Sequence, residues 1–276
     1  MMKSKDLCTF YGMKWNPFST NLSISGIYVE KRIEFLCWRI ESLLLDGGYG
    51  LITGDPGTGK SIILRILADR LSQMNDVTLG IISRPQSNIS DFYREMGEIF
   101  GVSLKANNRW GGYRDLRNKW SEYLKSNILR PVLLIDEAQE MPTEVLNEIR
   151  LMSSSDLDSK VILAIVLCGD SRLLTKLRQP QLLPLGSRIR INHTQESLPK
   201  EDLQTMLKNL LTLAGAPSLF TPELIRILAD QSSGNYRYLT ILADTVLQEG
   251  FKKEVSQLTE QHYFEIFDPH KTKRKK

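Results

Sequence analysis

Cysteine is scarce in this chain, and the few cysteines are not arranged for chemistry. Three of the 276 residues are cysteines, namely Cys8, Cys37 and Cys168. They lack the spacing of metal ligands, and they lie in apolar or terminal contexts. The sequence therefore excludes a disulfide framework and predicts reduced thiols, as in a cytoplasmic protein.

Long apolar runs are missing as well. No stretch approaches the roughly 20 consecutive apolar residues that cross a bilayer as a helix. The first residues, 1–6, lack the apolar core of a signal peptide. We therefore expect a cytoplasmic chain with no membrane partner. Internal repeats and low-complexity segments are absent apart from a basic tail at 271–276.

The chain also lacks a strong excess of one charge. Its formal net charge is +4, and five positive charges lie in the tail at 271–276, so the rest of the chain is close to neutral. Any nucleic-acid surface must therefore be local. A composition of 41% hydrophobic and 25% charged residues is that of an ordinary globular protein. The length suits one nucleotide-binding domain with a smaller partner domain.

A phosphate-binding loop follows the first apolar strand. Its pattern is glycine, four residues and Gly-Lys-Ser, and a helix-compatible run comes after it. Glycines let backbone N–H groups turn toward a polyphosphate, and the helix N-terminus adds a partial positive charge. A chance glycine-rich turn is the alternative, which the strand–loop–helix context disfavours. The predicted ATP-binding residues of the loop are Gly54, Asp55, Pro56, Gly57, Thr58, Gly59, Lys60, Ser61 and Ile62.

An acidic pair, Asp136-Glu137, ends a later apolar run. Lys60 is predicted to reach the β- and γ-phosphates, and the Ser61 hydroxyl and Asp136 to hold Mg²⁺. Glu137 is then placed to polarise a water for attack on the γ-phosphate, because the carboxyl ends of parallel strands face the ligand crevice. Acids also end many strands where the chain returns to solvent. The loop favours the catalytic interpretation, and with it hydrolysis rather than binding alone.

Apolar runs separated by helical patterns predict the fold class. Strands apolar on both faces indicate a parallel five-stranded sheet covered on both sides, the α/β architecture of a P-loop NTPase, and the later periodicity indicates a small all-helical domain. The predicted strands are 49–53, 77–82, 132–136, 161–167 and 188–193. The predicted domains are an N-terminal arm at 1–29, an α/β ATPase domain at 30–195, a helical lid at 196–268 and a basic tail at 269–276.

Two polar residues follow the fourth strand, Asp170 and Ser171. Either side chain could hold the attacking water or sense the γ-phosphate. Either could instead cap the helix at 172–178. The residues alone do not decide between them.

Arginines are the candidates for a cation that stabilises the transferring phosphoryl group. Arg188 and Arg190 lie at the start of the fifth strand, where alternation puts both side chains on one face. From spacing alone, a surface role is favoured for both. Arg237 lies in the first turn of a helix begun by Gly234-Asn235, from which it could swing over the nucleotide. An ordinary exposed helix position is the alternative.

A basic and aromatic segment at 109–125 is the candidate for a nucleic-acid surface. Basic side chains position phosphates without reading sequence, so this face suits non-sequence-specific duplex DNA with strong salt dependence. The alternative is a solvated helix face whose aromatics lie in the core. The predicted DNA contacts are Arg109, Arg114, Arg117 and Lys119, interleaved with Trp110, Tyr113, Trp120 and Tyr123.

Taken in order, these motifs resemble those of AAA+ ATPases. The loop 54–61, the run Asp136-Glu137-Ala138-Gln139, the Cys168-Gly169-Asp170 turn and Gly234-Asn235-Tyr236-Arg237 carry the similarity. The aromatic-Gly and Asn-Pro-Phe arm at 10–18 is similar to that of the ExeA/GspA-type group. The resemblance implies a nucleotide at the junction of an α/β domain and a helical lid, with adenine contacted by the arm. It also implies that Arg188 acts in trans and that Arg237 is the lid arginine. The group usually has an uncharged polar residue where Asp170 stands.

Members of the group differ in function. The segments 84–87, 108–113 and 234–237 resemble the TnsC, TniB and MuB kind, ATP-binding subunits of transposons that form rings or helical filaments on DNA. That resemblance implies an ATP-dependent, oligomerising DNA-binding ATPase that selects targets and recruits a transposase. The alternative is a cytoplasmic ATPase of a secretion or pilus-assembly system that acts on a protein partner. ATP and Mg²⁺ are the expected cofactors of both.

Overall fold

The structure is a computed structural model that describes residues 4–104, 108–126, 129–155 and 160–268. The basic tail predicted at 269–276 lies outside the described residues. Within the described ranges, no helix combines the length and the apolar character that a membrane crossing requires.

The strands of the described residues form one large sheet and one short ladder. All neighbouring pairs in the large sheet are parallel, in the order β2-β3-β6-β1-β7, which confirms the predicted parallel five-stranded sheet. A separate antiparallel ladder joins β4 to β5. The strands are β1 Tyr49–Gly54, β2 Val77–Ile82, β3 Arg130–Ile135, β4 Ser154–Ser155, β5 Lys160–Val161, β6 Ala164–Gly169 and β7 Ile189–Gln195.

Helices alternate with the strands in the α/β part, and the elements that follow β7 in the described residues are helices. Those of the α/β part are α2 Lys31–Asp46, α3 Lys60–Ser72, α4 Ile89–Phe100, α5 Arg109–Lys125, α6 Thr143–Met152, α7 Ser171–Leu177 and α8 Leu183–Gly186, with a 3₁₀ turn at Ala138–Glu140. The remaining helices are α1 Ser4–Tyr11, α9 Lys200–Ala214, α10 Pro222–Gln231, α11 Tyr236–Lys252 and α12 Glu260–Phe267, with a 3₁₀ turn at Ile24–Gly26.

Both faces of the large sheet are buried, as the continuous apolar runs predict. Leu133 and Leu167 point into a core shared with residues of α4, α5 and α6. The alternate residues Ile52, Leu134 and Val166 are equally buried, and α2 and α3 pack on the sheet as well. Because side chains of a strand alternate between faces, helices must cover both sides, which gives three layers.

The expected fourth strand at 161–167 is placed differently. The strand β6 begins only at Ala164, because the amides of Ile162 and Leu163 both donate to the Ser153 carbonyl, at 2.7 and 3.4 Å. Val161 belongs to the short ladder, opposite Ser154. The apolar run therefore fills the core without continuing as one strand.

The fifth strand also departs from regular alternation. Its pairing with β1 shifts register between Tyr49 and Gly50, so Tyr49 faces Ile189 while Gly50 faces Ile191. This irregularity leaves Arg190 without a partner position on β1. The expectation that Arg188 and Arg190 share one face through simple alternation therefore fails at this point.

The chain folds into two compact units. One contains Glu30–Pro56 and Lys60–Gln195, and the other contains Met1–Val29, Gly57–Gly59 and Glu196–Lys276. The predicted bounds of the arm, the ATPase domain and the lid stay predictions.

The second unit has its own core, to which the N-terminal segment contributes. Phe18 stacks on Phe220 with ring centroids 5.6 Å apart, and the amide of Lys14 donates to the Ala214 carbonyl at 2.8 Å. The helix α1 in this segment has no counterpart in the sequence prediction, because its 8 residues are fewer than the window in which helical periodicity is read.

Candidate functional site

The phosphate-binding loop joins the end of β1 to the start of α3. Gly57 and Gly59 adopt φ angles of +86° and +101°, which favour glycine. A Cβ on Gly59 would meet nothing within 4 Å, whereas a Cβ on Gly57 would lie 2.4 Å from Asn235 Oδ1. The loop thus has the backbone freedom that a polyphosphate cradle requires at both glycines.

Lys60 is the first residue of α3, and it is buried although it carries a charge. Its Nζ donates to the carbonyl oxygen of Asp55 at 3.0 Å, so the side chain folds back along its own loop. Thr58 is buried, whereas Asp55 and Pro56 are exposed. Ile62 is half-buried in the first turn of α3. A lysine held in this way at a helix N-terminus is placed to meet an anion that occupies the cradle.

The acidic pair stands at the carboxyl end of β3. The Asp136 amide donates to the Ile82 carbonyl at 2.9 Å, and the Glu137 amide donates to Asp136 Oδ1 at 2.9 Å. Glu137 has a left-handed backbone, φ 50° and ψ 37°, and its side chain is exposed. Such backbone strain in a residue other than glycine is typical of functional sites.

Gln139 contacts Glu137 of the acidic pair, although the sequence pattern predicts no role for Gln139. Its Nε2 donates to Glu137 Oε2 at 2.5 Å, and its Oε1 accepts from the Asp170 amide at 3.1 Å. The side chain is buried. The available signal was its position in the Asp136-Glu137-Ala138-Gln139 run, but no pattern rule states which group a glutamine there would contact.

Cys168 lies under the same site, on the central strand β6. Burial, and then the charge of Asp136, raise the pKa of its thiol, while Lys60 acts in the opposite direction. The thiol is therefore favoured in its protonated form. The charges of Asp136 and Lys60 both act on the Cys168 thiol, so the three residues lie close together. The strands β1, β3 and β6 therefore bring them together at the carboxyl end of the sheet.

Asp170 is the N-cap of α7. Its Oδ1 accepts from the Arg172 amide at 2.9 Å, and its Oδ2 pairs with Arg172 Nη2 at 2.7 Å. The bond to the Arg172 side chain holds the pKa of Asp170 below its ordinary value. Ser171 is the first residue of α7 and is exposed. Asp170 therefore has the capping geometry, and its role as a sensor of nucleotide stays a prediction.

Arg188 lies at the other end of the sheet. Its Nη1 donates to the Arg150 carbonyl at 3.1 Å and to Ser154 Oγ at 3.4 Å. It also influences Tyr49, whose pKa is raised to about 12 by burial. Tyr49 begins β1, whereas Lys60 follows its end, and a six-residue strand is about 20 Å long. One chain therefore does not bring Arg188 to its own Lys60.

Arg237 lies in the first turn of α11. Its amide donates to the Gly57 carbonyl at 3.1 Å, and its side chain is exposed. Asn235 caps the helix, with Oδ1 accepting from the Tyr238 amide at 3.0 Å. The backbone of Arg237 is thus fixed against the loop residue Gly57, which belongs to the same compact unit.

The four basic residues predicted to contact DNA all lie on α5, and each has a partner within the chain. Arg109 pairs with the buried Glu148, and Arg114 Nε donates to Asp115 Oδ1 at 3.0 Å. Arg117 donates to main-chain carbonyls at the end of α6, and Lys119 Nζ donates to the Gly101 carbonyl at 3.0 Å. These bonds use part of their donor capacity, and DNA contact stays a prediction.

The aromatic residues of α5 are divided between core and surface. Trp120 is fully buried and packs edge-on against Phe100 at 5.2 Å. Trp110 is 71% exposed and stacks on Tyr113 at 5.7 Å, and the Arg117 guanidinium lies 5.0 Å from the Tyr113 ring centre. An exposed stack of this kind is a contact surface for a planar or apolar partner.

The parallel five-stranded sheet, the glycine cradle with Lys60, and the acidic pair at the end of β3 define a P-loop ATPase of the AAA+ fold. The protein is an ATP-hydrolysing enzyme. Comparison with known proteins agrees: residues 45–177 match the AAA domain family model.

General secretion pathway protein A of Aeromonas hydrophila is similar to this chain, with 28% identity over 249 residues. The match covers 88% of this chain but 45% of that protein. The chain thus spans less than half the length of this relative.

Solved structures share the fold at low sequence identity. The ORC2 protein of Aeropyrum pernix, solved as ADPNP–ADP complexes, superposes with a TM-score of 0.70 at 16% identity, covering 90% of this chain and 70% of that one. The ORC1 protein of Aeropyrum pernix in complex with DNA gives 0.68 at 15%, covering 90% and 67%. The RuvB branch migration motor of Thermotoga maritima gives 0.54 at 17%, covering 86% and 68%. These likenesses establish the fold alone.

Proposed function

We propose that this chain is an oligomerising ATPase of the GspA kind that acts on a protein partner in a secretion or pilus-assembly system. The observation that carries the proposal is the similarity to general secretion pathway protein A, which runs through both compact units and 88% of the chain. ATP bound at the phosphate-binding loop supplies the energy, and the protein partner determines which process the hydrolysis drives.

Within the proposed site, each residue has one task. Lys60 holds the β- and γ-phosphates, Glu137 polarises the attacking water, and Arg237 contacts the nucleotide. Magnesium fits the oxygen donors of Ser61 and Asp136, because Mg²⁺ is usually held by one or two protein ligands together with substrate phosphates. Among the described residues, no group of three acidic, histidine or cysteine side chains could hold a metal without the nucleotide.

Arg188 completes the proposed site of a second copy. It lies at the amino end of the sheet, and the length of β1, about 20 Å, separates it from the phosphate-binding loop of its own chain. A cation that cannot reach its own nucleotide can still stabilise the transferring phosphoryl group of a neighbour. Assembly and hydrolysis are then coupled.

Size-exclusion chromatography with light scattering tests the assembly. The Glu137→Gln variant should bind ATP, turn it over slowly and therefore remain assembled, whereas Lys60→Ala should behave alike with and without ATP. A Glu137→Gln chain that stays monomeric at saturating ATP and micromolar concentration would contradict the proposal.

A second candidate is the DNA-bound regulator of transposition. One observation favours it, namely the exposed Trp110–Tyr113 stack with Arg117 above it, because stacked aromatics with a cation suit nucleic acid. Fluorescence anisotropy with labelled duplex DNA, with and without ATP at several salt concentrations, decides between the two. DNA binding that depends on ATP and salt, and that Trp110→Ala weakens, would favour this candidate. Trp38→Ala is the matched control, since Trp38 is also exposed, at 56%.

A further inference from the structure

The amide of Gln139 is held in one orientation by its two partners. A backbone N–H can only donate, so the Asp170 amide fixes the Oε1 side at 3.1 Å. An ionised carboxylate can only accept, so Glu137 Oε2 fixes the Nε2 side at 2.5 Å. The side chain is buried and thus shielded from competing water. Both ends of one amide are therefore used, and each is used by a different element of the site.

The surroundings leave room for this side chain and fix its backbone. Gly169 lies so close that a Cβ there would sit 2.4 Å from Gln139 Oε1, so glycine is required for the contact. Lys176 of α7 donates from Nζ to the Gln139 carbonyl at 3.0 Å and also to the Met141 carbonyl. The turn at Ala138–Glu140 is thereby fastened to α7 through both the main chain and the side chain of Gln139.

Within the part of the chain that the structure describes, the Gln139 amide is the side-chain partner of the Glu137 carboxylate. The Glu137 side chain is exposed, and its backbone is left-handed. A flexible carboxylate would sample several rotamers, whereas efficient proton abstraction needs one geometry. The bond from Gln139 restricts that sampling.

We propose that Gln139 is the positioning residue of the hydrolysis reaction: its amide holds the Glu137 carboxylate toward the attacking water and ties it to the start of α7. The inference rests on the proposed role of Glu137 as the base. Gln139 acts through Glu137, to which its amide donates.

The variant Gln139→Glu separates positioning from architecture. One oxygen of the new carboxylate still accepts from the Asp170 amide, so the structural bond remains. The other oxygen faces the Glu137 carboxylate and repels it, whereas the Gln139 amide donates a hydrogen bond to it. We expect kcat for ATP hydrolysis to fall by about 10- to 100-fold, the range for a misplaced catalytic group, with the Kd for ATP unchanged within about twofold. Gln179→Leu, an exposed glutamine just after α7, is the control variant.

A double-mutant cycle with Glu137→Gln gives the decisive readout, measured by single-turnover hydrolysis and by melting temperature. If Gln139 acts through Glu137, Gln139→Glu costs less than about twofold in the Glu137→Gln background, because the base is already absent. A full additional loss in that background, or wild-type turnover by Gln139→Glu, would overturn the proposal. Wild-type turnover by Glu137→Gln alone would instead remove the base assignment on which it rests.

Discussion

Asp170 offers a prediction that separates a cap from a nucleotide sensor. Both of its carboxylate oxygens are engaged by Arg172, one by the amide at 2.9 Å and one by the guanidinium at 2.7 Å. Asparagine caps a helix about as well as aspartate, whereas alanine does not and costs about 1 kcal/mol. The ion pair adds little, because the Arg172 side chain is 66% exposed.

The magnitudes follow from these contacts. For a chain of this size, 1 kcal/mol corresponds to about 2–4 °C in Tm. Asp170→Ala should therefore melt about 2–4 °C below the wild type at pH 7, and Asp170→Asn should stay within about 1–2 °C. Because Arg172 depresses the pKa of Asp170, the carboxylate stabilises the fold above the unfolded pKa near 3.9 and loses that effect as the pH falls through the folded value. The gap between Asp170→Asn and the wild type should thus close below about pH 4.

The assays are thermal unfolding across this pH range and steady-state ATP hydrolysis. If capping is the role of Asp170, Asp170→Asn should retain kcat within about twofold, since the asparagine oxygen replaces the capping acceptor. Ser171→Ala serves as the control at the neighbouring exposed position. Equal destabilisation by Asn and Ala would refute the capping argument. A loss of more than about tenfold in kcat for a stably folded Asp170→Asn would instead support the role of Asp170 in holding the attacking water or sensing the γ-phosphate.

Two further predictions concern the cradle and the core. Lys60→Ala should abolish ATP binding in isothermal titration, because the buried Lys60 is the proposed cation at the phosphate site. Ser72→Ala at the far end of α3 should bind ATP normally, and unchanged affinity in Lys60→Ala would disprove the assignment. Trp120→Ala should lower the free energy of unfolding by about 3–5 kcal/mol, because Trp120 is fully buried. Trp110→Ala on the same helix should change it by less than about 0.5 kcal/mol, because Trp110 is exposed. Similar losses for the two variants in chemical denaturation would contradict the burial argument.

Much of the α/β fold is readable from local patterns. The strand β2 has the bounds that periodicity predicts, and β1 begins at Tyr49 as predicted. Asn88 caps α4, with Oδ1 accepting from the Asp91 amide at 3.0 Å, a bond between residues three positions apart. These features depend on neighbours in the sequence, so a pattern rule captures them.

The parts that could not be predicted depend on distant contacts. The late start of β6 is decided by the Ser153 carbonyl, which receives two amides that the apolar run alone would assign to a strand. The contact between Gln139 and Asp170 likewise joins two loops 31 residues apart. No periodicity encodes such a bond, because it exists only once the strands lie side by side.

Candidate site residues behave in the same way. The loop residues and the acidic pair follow motif rules, and strand order brings Lys60 and Asp136 to one end of the sheet. The spacing of Arg188 and Arg190 gave no such information, because the position of an arginine at the opposite end of the sheet follows from topology.

Mixing two inactive variants tests most directly the proposal that a second copy completes the nucleotide site. Lys60→Ala lacks the cradle cation but keeps Arg188, and Arg188→Ala lacks the arginine but keeps the cradle. In a random equal mixture, half of the chains offer an intact cradle and half of their neighbours offer Arg188, so about one quarter of the sites should be active. Hydrolysis should therefore recover to about one quarter of the wild-type rate, with Arg190→Ala as an active control. A mixture no more active than its components, or an Arg188→Ala chain as active as the wild type, would contradict the account.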